Sequence, residues 1–189
     1  MLMPCPRTKR RREPHGGLRS IVSLVLLLSA GAAFAQAIDE DAMKGLYIYK
    51  FIKFVEWPAT RLGPAEDPFH ICVAGDERIN ALAKELDQKS IRGKKVVLVN
   101  LAKQPSSKDC QIVFVSVNET WRLKDILAQL SGQPTLTVSD APNFVKHGGM
   151  IGFVFDGDHL SFEINQAAAL RAQLSISAQL LSLAKAVIR

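Results

Sequence analysis

Four short segments, residues 69–74, 95–101, 111–116 and 135–139, are rich in valine, isoleucine and other apolar residues and lack a regular polar alternation. A strand with one wet face alternates, so runs like these predict strands covered on both faces. Gly75-Asp76 turns the first run into a helix over about 77–86. Asn118 caps a second helix through about Leu130, which Gly132 and Pro134 end, and residues 142–147 form a short helix closed by Gly148-Gly149. Buried strands separated by helices predict a mostly parallel sheet flanked by helices on both faces.

The pattern then changes. Residues 150–155 and 160–164 flank Asp156-Gly157-Asp158-His159, and Asp-Gly between two apolar runs is a strong hairpin signal. The chain should therefore finish its sheet with a C-terminal antiparallel hairpin. A terminal helix follows from about Asn165, broken near Ser175, with Leu180, Leu181, Leu183, Ala184 and Val187 on its buried side. The fold class expected is α/β.

A helix over residues 39–57 precedes the sheet: Asp39 caps it and Pro58 stops it. Its polar stripe is narrow, confined to the neighbourhood of Lys50 and Lys53. An ordinary amphipathic helix buries one face, whereas this one has apolar residues for more. Either it lies deep in the domain or a second apolar face meets another chain.

The first 35 residues have the three parts of a secretory signal. Arg7, Lys9, Arg10, Arg11, Arg12 and Arg19 supply the charge, residues 21–30 the apolar run, and Ala33-Phe34-Ala35 the cleavage pattern. The apolar run is shorter than the roughly 20 residues that a spanning helix needs. The expected organisation is a cleaved leader, 1–35, and one domain, 36–189, working in the periplasm without spanning the membrane. The whole chain holds 24 basic and 18 acidic residues. Removing the leader leaves 18 and 17, so the basic balance belongs to the leader and the usual inference to nucleic acid fails.

Two cysteines remain after cleavage, Cys72 and Cys110. In an oxidising compartment an even pair reads most simply as one disulfide; two buried free thiols are the alternative. Little else carries chemistry. His70, His147 and His159 each stand alone, and a metal site needs several ligands together. The chain has no Gly-x-Ser-x-Gly, no Cys-x-x-Cys, no dinucleotide fingerprint and no phosphate loop. Asp156 and Asp158 suit a hairpin tip better than acid-base work, and Asn118-Glu119-Thr120 suits helix capping better than a sugar. A compact domain with apolar surface to spare, no catalytic residues, no cofactor motif and no metal ligands points to binding and regulation and away from an enzyme.

The residues also carry a family likeness. Residues 44–58, Lys-Gly-Leu-Tyr-Ile-Tyr-Lys-Phe-Ile-Lys-Phe-Val-Glu-Trp-Pro, resemble the hallmark of the YfiR-like proteins. So do Ile71-Cys72-Val73, Asp109-Cys110-Gln111-Ile112, Leu136-Thr137-Val138-Ser139-Asp140 and Gly148-Gly149-Met150-Ile151. Phe162-Glu163-Ile164-Asn165 and the segment from Ser175 to Leu181 complete the set in the family's order. The resemblance implies a periplasmic α/β repressor that contacts the periplasmic sensor part of an inner-membrane diguanylate cyclase, or a related membrane sensor, and so lowers cyclic di-GMP and biofilm formation. It also implies a homodimer. Cys72 and Cys110 match family cysteines, while a second family pair has no counterpart here.

For the partner surface, Phe153, Phe155, Phe162 and Glu163 on the hairpin are the candidates, with burial under the last helix as the alternative for the phenylalanines. For a dimer, the candidates are Tyr47, Lys50, Phe51 and Phe54 on the opening helix. A periplasmic small-molecule-binding protein, with its ligand beyond Ala74 and Ser116 at the strand ends, is the competing function.

Overall fold

A computed structural model describes residues 40–75, 86, 89–103, 107–156 and 159–189. All of them fall in the second of two units into which the chain divides, Ile38–Arg189. The leader and its cleavage site lie outside the described residues. So does most of the helix expected over 77–86, of which Leu86 is described as helical and buried.

The unit opens with α1, residues 40–54, followed by β1 (Val55–Glu56), α2 (Ala59–Leu62), β2 (Phe69–Ala74), β3 (Ser90–Ile91) and β4 (Lys94–Asn100). Next come β5 (Ile112–Val115), a 3₁₀ turn over Val117–Arg122, α3 (Leu123–Gln129) and β6 (Leu136–Ser139). The hairpin strands β7 (Ile151–Asp156) and β8 (His159–Asn165) lead into α4 (Gln166–Arg171), β9 (Ser175–Ile176), α5 (Ala178–Leu183) and β10 (Ala186–Ile188).

Eight strands form the main sheet in the order β10-β8-β7-β6-β5-β2-β4-β3. From β4 to β7 every neighbour is parallel, as the buried runs predict, while β3 with β4 and β7 with β8 are antiparallel. Side-chain alternation divides the core in two. Phe69, Ile71, Val73, Ile112, Phe114, Leu136 and Val138 face α1, with its Ile48, Phe51 and Ile52, and the alanines of α4. Cys72, Ala74, Val113 and Val115 face α3 through Leu123 and Ile126.

On that second side β6 carries Thr137 and Ser139, buried but satisfied. The Thr137 hydroxyl accepts from Met150 N at 3.0 Å, and the Ser139 hydroxyl donates to Val115 O at 2.6 Å. Pairing them removes the penalty that an orphaned buried hydroxyl would impose.

Several expectations are corrected. The opening helix stops at residue 54, not Trp57, because Val55 and Glu56 pair with Ile176 and Ser175 in a separate antiparallel ribbon. Arg92 also donates to Val55 O at 3.0 Å. Residues 142–148 form successive turns and no helix. After β5 the capping side chain is Ser116, which accepts from Asn118 N, and not Asn118 itself.

The chain does not end in a helix. It breaks near Ser175 as expected, but α5 is short, Leu183 is 62% exposed, and β10 joins the edge of the sheet parallel to β8.

Candidate partner-binding site

The candidate surface grows from the packing of α1 against the hairpin. Phe153 and Phe162 are register partners across β7 and β8, and both are buried. Phe51 reaches them with ring centroids at 5.8 and 5.1 Å, and Tyr47 at 6.1 and 5.9 Å. Tilted and edge-on rings at these separations add stabilisation beyond area burial. The Tyr47 hydroxyl donates to Leu160 O at 3.3 Å, tying the helix to the hairpin two register pairs further out, at the level of Phe155.

These contacts sort the candidates named from the sequence. Phe153 and Phe162 are core residues, packed against the first helix. Phe155 lies on the same face as Phe153, two residues nearer the turn, and is 54% exposed. Glu163 pairs with Gly152 and with Ala186, which puts it on the opposite face of the sheet from Phe162. Strand alternation therefore keeps Phe155 and Glu163 from forming one continuous patch.

On α1, Phe51 is fully buried, Tyr47 and Phe54 are half-buried, and Lys50 is exposed. The outward stripe of the helix is Met43, Leu46, Lys50 and Lys53, at the three-and-four spacing of one face. The lysine stems shield the aromatic flanks: Lys50 Nζ stands 5.7 Å from the Tyr47 ring and Lys53 Nζ 4.5 Å from that of Tyr49. The helix thus lies deep on one side while a second, partly apolar side remains open.

Cys72 and Cys110 are joined by a disulfide with Cα atoms 5.8 Å apart, linking the middle of β2 to the approach to β5. Both residues are buried. Arg61 holds the same approach, donating through Nη2 to Cys110 O at 2.5 Å and to Thr135 Oγ1 at 2.8 Å. Burial lowers the pKa of the Arg61 guanidinium, and the Asp109 carboxylate opposes that shift. His147 and His159 are exposed and His70 is half-buried, at separate places in the fold.

Sequence reasoning missed a buried ionic cluster. Lys44 on α1 meets Asp140, just past β6, and Glu40 one helical turn earlier. The signal was available as a lysine on the apolar side of a helix, but its partner could not be read from spacing. Among the described residues no helix is long and apolar enough to cross a membrane.

The model of a family described as YfiR/HmsC-like matches residues 41–185. No curated protein matches the chain. Among solved structures, one described as a conserved domain protein from Vibrio cholerae O1 biovar eltor is similar with a TM-score of 0.49 and 14% identity. That similarity covers 62% of this chain and 54% of the other, so it spans about half the length of that structure.

Proposed function

The chain belongs to the YfiR/HmsC-like family, and from that membership we propose that it is a periplasmic regulator which binds the periplasmic sensor part of an inner-membrane diguanylate cyclase and represses it. In this reading residues 1–35 are a signal cleaved after Ala35, and residues 36–189 are the working domain. Repression follows from differential affinity: the protein holds its partner inactive if it binds the inactive state more tightly than the active one. Cyclic di-GMP and biofilm formation then fall when the protein is present.

The observation that carries the partner surface is the exposure of Phe155 at the outer end of a hairpin whose base is locked by four aromatic rings. A large apolar side chain on a rigid support loses little conformational entropy when covered, and aromatic anchors dominate many interfaces. The outward stripe of α1, Met43, Leu46 and Lys50, is the face on which we place a homodimer. Glu163, on the other face, is a separate candidate contact.

The test is a pull-down of the tagged protein from periplasm and solubilised inner membrane, with Phe155→Glu and Glu163→Lys side by side, together with cyclic di-GMP levels in a deletion strain. Capture of a membrane cyclase that Phe155→Glu loses, with cyclic di-GMP rising in the deletion, supports the reading. Loss with Glu163→Lys alone moves the contact to the opposite face, and an unchanged cyclic di-GMP level with no membrane partner removes the repressor function.

A further inference from the structure

On the α3 side of the sheet, opposite α1, a cleft of about 510 Å³ opens at the carboxyl-terminal ends of β5 and β6. Its floor includes Leu127, Ala141 and Pro142, and its polar groups are Thr120, Lys124 and His147. The volume and the mixture of an apolar floor with a few polar groups are those of a small-molecule site. In open α/β sheets ligands bind outside the carboxyl ends of the strands.

Lys124 and His147 both line the cleft, and among the described residues that line it Lys124 is the charged one. Glu119, in the turn before α3, is engaged by Arg122 at 3.7 Å. Lys124 and His147 come from separate segments, the first turn of α3 and the turns after β6, and both border the same cleft.

From these features we infer that the cleft binds a small organic carboxylate with an apolar body. The apolar part lies on Leu127, Ala141 and Pro142; the carboxylate accepts hydrogen bonds from the Lys124 ammonium, the Thr120 hydroxyl and an N–H of His147. A hydrogen bond from an ammonium to a carboxylate is charge-assisted and stronger than one between neutral groups. The site lies across the sheet from the surface proposed for the membrane partner and stands independently of it.

The experiment titrates the protein with 4-phenylbutyrate and with its neutral counterpart 4-phenylbutan-1-ol, read by calorimetry and by backbone amide shifts. The carboxylate should bind saturably, with shifts concentrated in residues 120–127 and 141–147, and the alcohol more weakly. Lys124→Gln should weaken the carboxylate by about tenfold or more, the usual size of a hydrogen bond to a charged group, and leave the alcohol unchanged. Lys124 and His147 are exposed, so Lys124→Gln and a second variant, His147→Glu, keep the fold. Absence of saturation up to about 10 mM, shifts elsewhere in the domain, or an affinity that neither variant alters would overturn the inference.

Discussion

Lys44 on the opening helix and Asp140 at the end of β6 are 96 residues apart in sequence, yet Lys44 Nζ donates to Asp140 Oδ2 at 2.7 Å. Both side chains are buried, at 4% and 6% exposure. The other oxygen of Asp140 accepts from Val117 N at 2.6 Å, so one carboxylate fixes α1, the end of β6 and the turn after β5. Taking two charges out of water is costly, and their mutual attraction offsets that cost only with good geometry and further hydrogen bonds.

Removing one partner should therefore be much worse than removing both. Lys44→Met leaves Asp140 with a buried charge and should cost about 3–5 kcal/mol. Asp140→Asn should cost less, because Lys44 keeps Glu40 as a partner, and the double variant should lose clearly less than the sum. Urea unfolding of the four proteins measures the coupling; additive losses would show that the pair acts as two separate contacts.

Gly149 is a second fixed point. A Cβ there would meet the Phe144 ring at 2.2 Å, and Phe144 is buried at 1% exposure. Gly149→Ala should destabilise by about 1–3 kcal/mol, as overpacking does. Phe144→Leu made in the Gly149→Ala background should recover part of that loss, which thermal unfolding would register as a higher Tm than Gly149→Ala alone. The neighbouring Gly148 has φ +97 and open space beyond it, so Gly148→Ala is strained by its backbone and Phe144→Leu should give it no relief.

The sequence made the buried strands and the hairpin legible because their signals are local. Ile112, Val113, Phe114 and Val115 are apolar on both faces and can only be covered on both. What failed depends on distant partners. Val55 continues the apolar pattern of α1, and only the ribbon with Ile176 shows that it is a strand. Ala186 to Ile188 look like helix by composition and become a strand because the edge of β8 offers unpaired backbone groups. At the candidate site, Phe155 and Phe153 carry the same strand pattern, and what marks Phe153 as core is its packing on the Tyr47 and Phe51 rings, about 100 residues away in sequence. Lys44 has no local feature that names Asp140.

The disulfide stabilises chiefly through the unfolded chain. It spans a sequence separation of 38 residues, for which the loop-entropy model gives about 4 kcal/mol. Cys72→Ala with Cys110→Ala should lower stability by about that amount without changing the sheet, checked by urea unfolding and circular dichroism. Because both cysteines are buried, dithiothreitol should reduce the bond slowly in the folded protein and rapidly in urea. Equal rates in the two conditions would mean that the bond is open to solvent in the native state.

Phe155 and Phe153, two residues apart on one face of β7, should separate stability from binding. Phe153→Ala removes a ring packed on Phe51 and Tyr47 and should cost about 3–5 kcal/mol. Phe155→Ser removes a side chain that is 54% exposed and should leave the unfolding midpoint nearly unchanged. In the pull-down the order should reverse: Phe155→Ser should lose the membrane partner while the folded fraction of Phe153→Ala retains it. A Phe155→Ser protein that unfolds early would place this ring in the core, and one that is stable and still captures the partner would place the contact on another surface, with the Glu163 face the next to test.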